Sequence, residues 1–559
     1  MRRRSTTSGA RAEPPTATRA AHPECARRPS TAGRREVFVG PSLAAGWPII
    51  GLLPASSELA AEVAVQPGAR FAPDRVRAVT FALVLVTALA SLESTVVSTA
   101  MPTIIGELRG LAVYSWVFSA YLLSATVTMP IYGRLADLYG RRRILLIAIS
   151  LFVVGAGACA AAQTMTHLIA ARVLQGLGAG GLMPVALIVS GDLFSLRERA
   201  RIQGLFSGIW GVASLAGPML GAALTVTFGW RSIFSINLPL GVLAFVLVAT
   251  KMIESRATRP DPLDVGGALL LAGGITALLQ SVLQKAGGAA LSSGLRLALI
   301  AGGLILLALF ARQQGRRAHP LIPPNLFRHA RTVSPYLSGA LLGTTIFGVD
   351  TFVPLFVQGA RGGTAMAAGA VVTPVVLMWA VSAALAARSV VAFGFRRTAQ
   401  FGSVLILLGC TGLIACAVLH ARVGTITATC ALIGAGLGPS SMSQVLAIQH
   451  AAEEHQRGVA TSLVPFFRAV GGALGVGALG GLLAAGLSHR LGPAAEAAGA
   501  LLAHSRSAAP VSPEALQGLG AALEASLLPV FVVLLVLAAL NVGVASSFPR
   551  HADPDSPRV

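Results

Sequence analysis

Apolar residues run far enough to cross a bilayer at roughly 78–101, 115–137, 144–163, 166–190, 202–227 and 233–252. Two more runs, near 263–284 and 294–311, precede a second set of six near 332–357, 366–387, 398–419, 423–447, 459–487 and 527–547. A spanning helix needs about 20 consecutive apolar residues, and each of these stretches is of that order. The pattern predicts an all-α polytopic membrane protein of 14 helices, two bundles of six with two extra central spans.

Loop charge tests that count, because short cytoplasmic loops gather Lys and Arg while loops on the other side do not. Loops expected inside carry arginine clusters: Arg141, Arg142 and Arg143; Arg197, Arg199 and Arg201; Arg256 and Arg259; Arg312, Arg316, Arg317, Arg328 and Arg331; Arg388, Arg396 and Arg397. Loops expected outside carry few charges, such as Arg231 or Arg361. The alternation places both termini in the cytoplasm and the protein in the cell membrane. The expected organisation is a basic N-terminal extension (1–75), a first six-helix bundle (76–252), two extra spans with a linker (253–330), a second bundle (331–547) containing a flexible external loop (488–526), and a tail (548–559). The extension mixes Arg2, Arg3, Arg4, Arg27, Arg28, Arg34 and Arg35 with Ser, Thr, Pro and Ala, a composition expected to be disordered; a misassigned translation start is the other reading.

Composition agrees with the membrane reading: 54% hydrophobic residues, only 12% charged, and a mean hydropathy of +0.73. The net charge of +21 lies between apolar segments and in the N-terminal tail rather than on one nucleic-acid-binding face, so no nucleic acid is expected. Five cysteines show no paired ligand spacing, and neither a metal nor a cofactor is indicated. Gly176, Gly178 and Gly181 match the dinucleotide fingerprint, but they lie inside a span, where small residues let helices approach closely. A Walker A loop needs lysine after glycine, whereas Lys251 and Lys285 follow Thr250 and Gln284, so ATP is not expected to be the energy source.

Within the first span stands Glu93, and a charge inside a spanning segment is costly enough to point to function. Asp350 occupies a similar depth in the ninth span, which opens the second bundle as the first span opens the first. A carboxylate in low dielectric favours its neutral form, so both acids are candidates for loading and releasing protons. The structural alternative for each is to partner a buried arginine, Arg172 or Arg468.

Between the second and third spans the segment GRLADLYGRRR sets Asp137 between Arg134 and Arg141 at helical spacing, flanked by Gly133 and Gly140. This segment strongly resembles the loop signature of the major facilitator superfamily. The resemblance implies that Gly133, Asp137, Gly140, Arg141 and Arg142 form a cytoplasmic gate. Three further segments resemble the 14-span drug/proton antiporters: SLESTVVSTAMPTI at 91–104, with Glu93 and Ser98 at the acid and amide positions; RVLQGLGAGG at 172–181; and GVASLAGPMLG in the fifth span, with Gly211, Gly217, Pro218 and Gly221. The segment 458–480, including Arg468, is similar to that family's thirteenth span, whereas RSVVAFGFRR at 388–397 keeps the arginines of the second-half gate loop and lacks its acid.

The resemblance covers nearly everything from Arg75 to Ser547 and implies a transporter rather than an enzyme. The expected mechanism is alternating access, with protons on Glu93 and Asp350, aided by Arg172, competing against outward-moving lipophilic cations. Trp116, Tyr121, Trp210, Phe347, Phe352 and Gln358 are candidates for lining the pocket by apolar and cation–π contact. An exporter of one specific metabolite would share the same coupling residues. A channel or membrane sensor would need no Asp137 gate.

Overall fold

A computed structural model describes residues 73–108, 116–253, 262–283, 292–491 and 513–550. The basic extension up to residue 72, the core of the expected external loop and the tail beyond residue 550 lie outside the described residues. The first six spans are α1 (Pro73–Leu108), α2 (Trp116–Tyr139), α3 (Arg141–Ala160), α4 (Met165–Leu193), α5 (Leu196–Phe228) and α6 (Asn237–Lys251). The extra pair is α7 (Val265–Leu283) and α8 (Ser293–Gln314). The last six are α9 (Ala330–Leu355), α10 (365–393), α11 (395–418), α12 (Val423–Ala451), α13 (Arg457–Leu491) and α14 (Pro513–Ala545).

Among the described residues 12 helical stretches are long and apolar enough to cross a membrane. One of them, Ala365–Val418, is two helices joined at Gly394, whose φ of 79° breaks the helical path at the loop expected from sequence. Helix α2 falls outside the 12 because Tyr121, Ser124, Thr126, Thr128, Pro130 and Tyr132 dilute its apolarity, although it runs 24 residues and packs among the other spans. With these two resolved, the architecture is the 14-helix one.

Several helices outrun the apolar stretches that predict them. Helix α13 continues to Leu491 and α14 begins at Pro513, so part of the expected 488–526 loop is helical. Its Ala- and Leu-rich flanks are good helix formers, and helical propensity carries them past the apolar stretch.

Helices α4 and α12 are the most enclosed, and α8 the least. On α8 the large apolar side chains Leu297, Leu304, Ile305 and Leu309 are exposed, as expected for a helix whose solvent is lipid. The α7–α8 hairpin closes through Gly274 and Gly303, each lying against the other's carbonyl. Asp264 ties the start of α7 to the end of α8: it accepts from Gly267 N (3.0 Å), Gln313 Nε2 (2.9 Å) and Gln314 Nε2 (2.7 Å). Helix α7 also packs against α2 and α13, so the extra pair leans on both halves. The halves meet along α2 with α13 and along α5 with α10.

Candidate functional site

Two charge clusters emerge. In the first, α1 carries Glu93, which is 2% exposed, and α4 brings Arg172 against it as a directly hydrogen-bonded ion pair. Arg172 also donates to Gln175 Oε1 (2.7 Å) and to Val117 O (3.0 Å), and its guanidinium lies 4.0 Å from the centre of the Tyr121 ring. The second Glu93 oxygen accepts from Asn237 Nδ2 at 2.8 Å. Four spanning helices, α1, α2, α4 and the start of α6, therefore converge on one carboxylate and one guanidinium. Desolvating such a pair costs several kcal/mol per ion, and the surrounding donors and acceptors are what offset it. Of the two arginines weighed from sequence, Arg172 is the partner of Glu93. Gln175 and Asn237 were not singled out from sequence. Gln175 carried a signal, a polar side chain three residues from Arg172 on the same helical face; Asn237 carried none, since its role depends on α6 reaching α1.

Asp350 has a different environment. It lies on the accessible side of α9, and among the described residues no hydrogen-bond or ion-pair partner reaches it. It is within electrostatic range of Cys430 on α12, one of the most enclosed helices. Phe347, one turn earlier, rests its ring against Gly472 of α13, and Gln358 is exposed on the short π-helical turn Phe356–Ala360. Phe352 points instead into the apolar core of the second half and is 3% exposed, in a cluster with Phe356 and Phe531. Of the six aromatic and amide candidates for the pocket, only Tyr121 joins the Glu93 cluster. Among the described residues no hydrogen bond or ring contact links Trp116, Trp210, Phe347, Phe352 or Gln358 to it.

The second cluster sits where the halves meet at the far end of α2. Asp137 accepts from the backbone N–H groups of Gly458 and Val459, both at 2.9 Å, and from Arg141 Nη2 at 3.2 Å. Gly458 and Val459 open α13, so a carboxylate of one half caps the positive end of a helix in the other. Glycine is needed on both sides of the approach: a side chain at Gly458 would collide with the Asp137 carboxylate, and one at Gly133 with Ser462 and the Gly458 carbonyl. Gly140, with φ of 93°, turns the chain so that α3 starts at Arg141. Arg142 is drawn away from the interface to the Ala249 carbonyl of α6.

Arg141 also binds Asp192 at the end of α4 (2.8 Å), and Asp192 is reached at 3.3 Å by Arg457 from the second half. Asp192 and Arg457 were not among the sequence candidates, although both are charges placed at span ends, the signal that singled out Asp137. Gln449 of α12 adds a further crossing by donating to Leu187 O at 2.9 Å. In the loop that lacks its acid, Arg396 bonds Phe548 O and Pro549 O beyond α14, contacts that stay within the second half.

The fifth-span glycines divide by partner. A side chain at Gly211 would meet Ala380 of α10 at 2.8 Å, and one at Gly204 would meet the Ala384 backbone at 3.0 Å. Gly221 instead lies against Thr99 and Val96 of α1. Gly217 is buried and Pro218 exposed on the same helix.

The profile of the Major Facilitator Superfamily matches residues 83–476. The chain belongs to that superfamily of membrane transporters. It is 34% identical over 403 residues to the multidrug transporter protein MdtP of Bacillus subtilis, an alignment covering 72% of this chain and 74% of that one. Multidrug resistance protein 3 of Bacillus subtilis is 30% identical over 400 residues, covering 71% and 78%. Among solved structures, the human organic anion transporter MFSD10 superposes with a TM-score of 0.55 at 15% identity, over 84% of this chain and all of that one, a likeness of fold.

Proposed function

We propose that the protein is a proton-coupled antiporter that exports lipophilic cationic drugs across the cytoplasmic membrane by alternating access, with both termini cytoplasmic. The observation that carries this reading is the Glu93–Arg172 pair, buried between α1 and α4 in a chain whose relatives include one named a multidrug transporter and one named a multidrug resistance protein. Protonating Glu93 cancels its charge and releases Arg172 to its remaining acceptors, so a proton arriving here changes the bonds that tie α1 to α4 and α6. Asp350, accessible and unpartnered, is the acid an entering cation reaches first. A carboxylate that holds either a proton or a cation, but not both, yields exchange.

In this reading the Asp137–Gly458 closure faces the cytoplasm, and the conformation is the one closed on that side. Opening it requires Asp137 to leave the α13 N-terminus and Asp192 to leave Arg457. Gly204 and Gly211 let α5 ride closely on α10 during that change.

The test uses inside-out vesicles and a pH-reporting dye, with ethidium added to the natural chain and to Glu93→Gln at matched expression. Ethidium should release protons through the natural chain, and Glu93→Gln should abolish the release. Release that survives in Glu93→Gln moves coupling to another acid, and the absence of release from the natural chain removes cation export.

A further inference from the structure

Arg468 is an arginine set mid-helix in the second half, and its guanidinium carries a buried nitrogen. It stands eleven residues into α13, about 16 Å from that helix's start and so near the middle of a roughly 30 Å hydrocarbon core. Its guanidinium donates one hydrogen bond, from Nη2 to Gln444 Oε1 at 2.9 Å, and its centre lies 5.9 Å from the Trp379 ring. Nε is buried with no acceptor. No ion pair reaches it among the described residues, in contrast to Arg172, whose charge Glu93 answers. Asp350 is too far to serve: Arg468 packs by its backbone against Gly343 of α9, and Asp350 is seven residues further along, about 10 Å.

Gln444 is committed on its other side. It donates to Ser338 (2.9 Å), which donates to Asn541 (2.7 Å), which donates to Ser403 (2.9 Å). This buried chain fixes Gln444 and Arg468 in place but brings no negative charge. A neutral donor at 468 could serve Gln444 equally well without the cost of desolvating a cation. The surplus is a planar set of N–H donors beside an aromatic ring, the geometry that receives a carboxylate or sulfonate in two parallel hydrogen bonds.

We propose that Arg468, with Gln444 and Trp379, forms a subsite for the anionic group of an aromatic substrate, so that the protein handles acidic or zwitterionic aromatic compounds as well as cations. The subsite deepens the efflux reading, and with Asp350 two helical turns beyond Gly343 on the neighbouring α9 it suits molecules that carry both charges.

The test is equilibrium binding to the full chain in lipid nanodiscs, read by fluorescence anisotropy of pyrene-1-carboxylate and of pyrene-1-carboxamide, which share a ring and differ in charge. A hydrogen-bonded charge pair corresponds to at least about a tenfold preference for the carboxylate in the natural chain. Arg468→Gln should remove the preference while leaving carboxamide binding in place, and Arg468→Lys should restore part of it. Equal affinity of the two probes for the natural chain, no binding of either, or a preference that survives in Arg468→Gln overturns the subsite. Ethidium-driven proton release is measured on the same protein in vesicles. An Arg468-dependent carboxylate preference without that release upholds the subsite and removes cation export; release without the preference does the reverse.

Discussion

Replacing Asp137 by asparagine alters one atom of a side chain held by three donors, two of them from the other half. The carboxylate accepts from Gly458 N and Val459 N at 2.9 Å each, while Arg141 supplies the third bond. Asparagine has one oxygen, which can satisfy only one of the two backbone donors. Its NH2 group must then face the other N–H, donor against donor. The substitution removes at least one charge-assisted hydrogen bond, about 1.5–3 kcal/mol, and the attraction of a full charge to the α13 N-terminus, about 0.3–1 kcal/mol. A total near 3 kcal/mol shifts the balance between this closed conformation and an open one by about 150-fold.

Distances between spin labels read that shift. Tyr139 at the end of α2 and His455 just before α13 are exposed and lie on opposite halves of the closure, so Tyr139→Cys and His455→Cys, with Cys25, Cys159, Cys410, Cys416 and Cys430 replaced, report its opening. The Asp137-bearing protein should give one short distance, and Asp137→Asn a dominant longer one. Asp192→Asn should open it less, because the Asp192–Arg457 bond is longer, at 3.3 Å, and partly solvated. An unchanged distance in Asp137→Asn, or equal opening by Asp192→Asn, refutes the assignment of the closure to the capped helix end.

Asn237→Ala leaves one buried Glu93 oxygen without its donor and should lower stability by about 1.5–3 kcal/mol, measured as a fall in the unfolding midpoint of the purified protein. Gly211→Val should push α5 off Ala380 and reduce ethidium efflux by cells, whereas Gly208→Ala, which meets open space, should leave efflux unchanged. At the opposite end of the bundle, hydrogen bonds from Arg231 and then Trp230 hold the Glu107 carboxyl below the usual carboxylate range. A depressed folded value means the contribution is present above the unfolded carboxylate range and lost as pH falls through the depressed one. The midpoint difference between the natural chain and Glu107→Gln should therefore vanish on acidification, and a difference that persists in acid excludes that pairing.

The parts of the molecule that could be read from the chain are those in which one residue meets its physical constraint locally. An apolar run has to satisfy its own backbone in lipid, which is why the spans are visible one at a time, including the more polar α2 and the abutting α10 and α11 that the sequence already separates. Asp137 was legible for the same reason: its glycines and arginines lie within one turn of it. What stayed hidden is each partner that arrives from far along the chain. Asp137 accepts from residues more than 300 positions away, Asp192 meets Arg457 across 265, and Asn237 reaches Glu93 across 144. The sequence reading of Glu93 and Asp350 as symmetric acids depended on depth alone, and depth says nothing about neighbours. Glu93 is locked by an arginine that α4 supplies, and Asp350 is left bare because the arginine on its own side, Arg468, leans toward Gln444 on α12. The first half thus holds Glu93 and Arg172 as a pair, and the second holds Asp350 and Arg468 apart. In the exchange proposed above, a proton breaks the first arrangement and an entering molecule bridges the second.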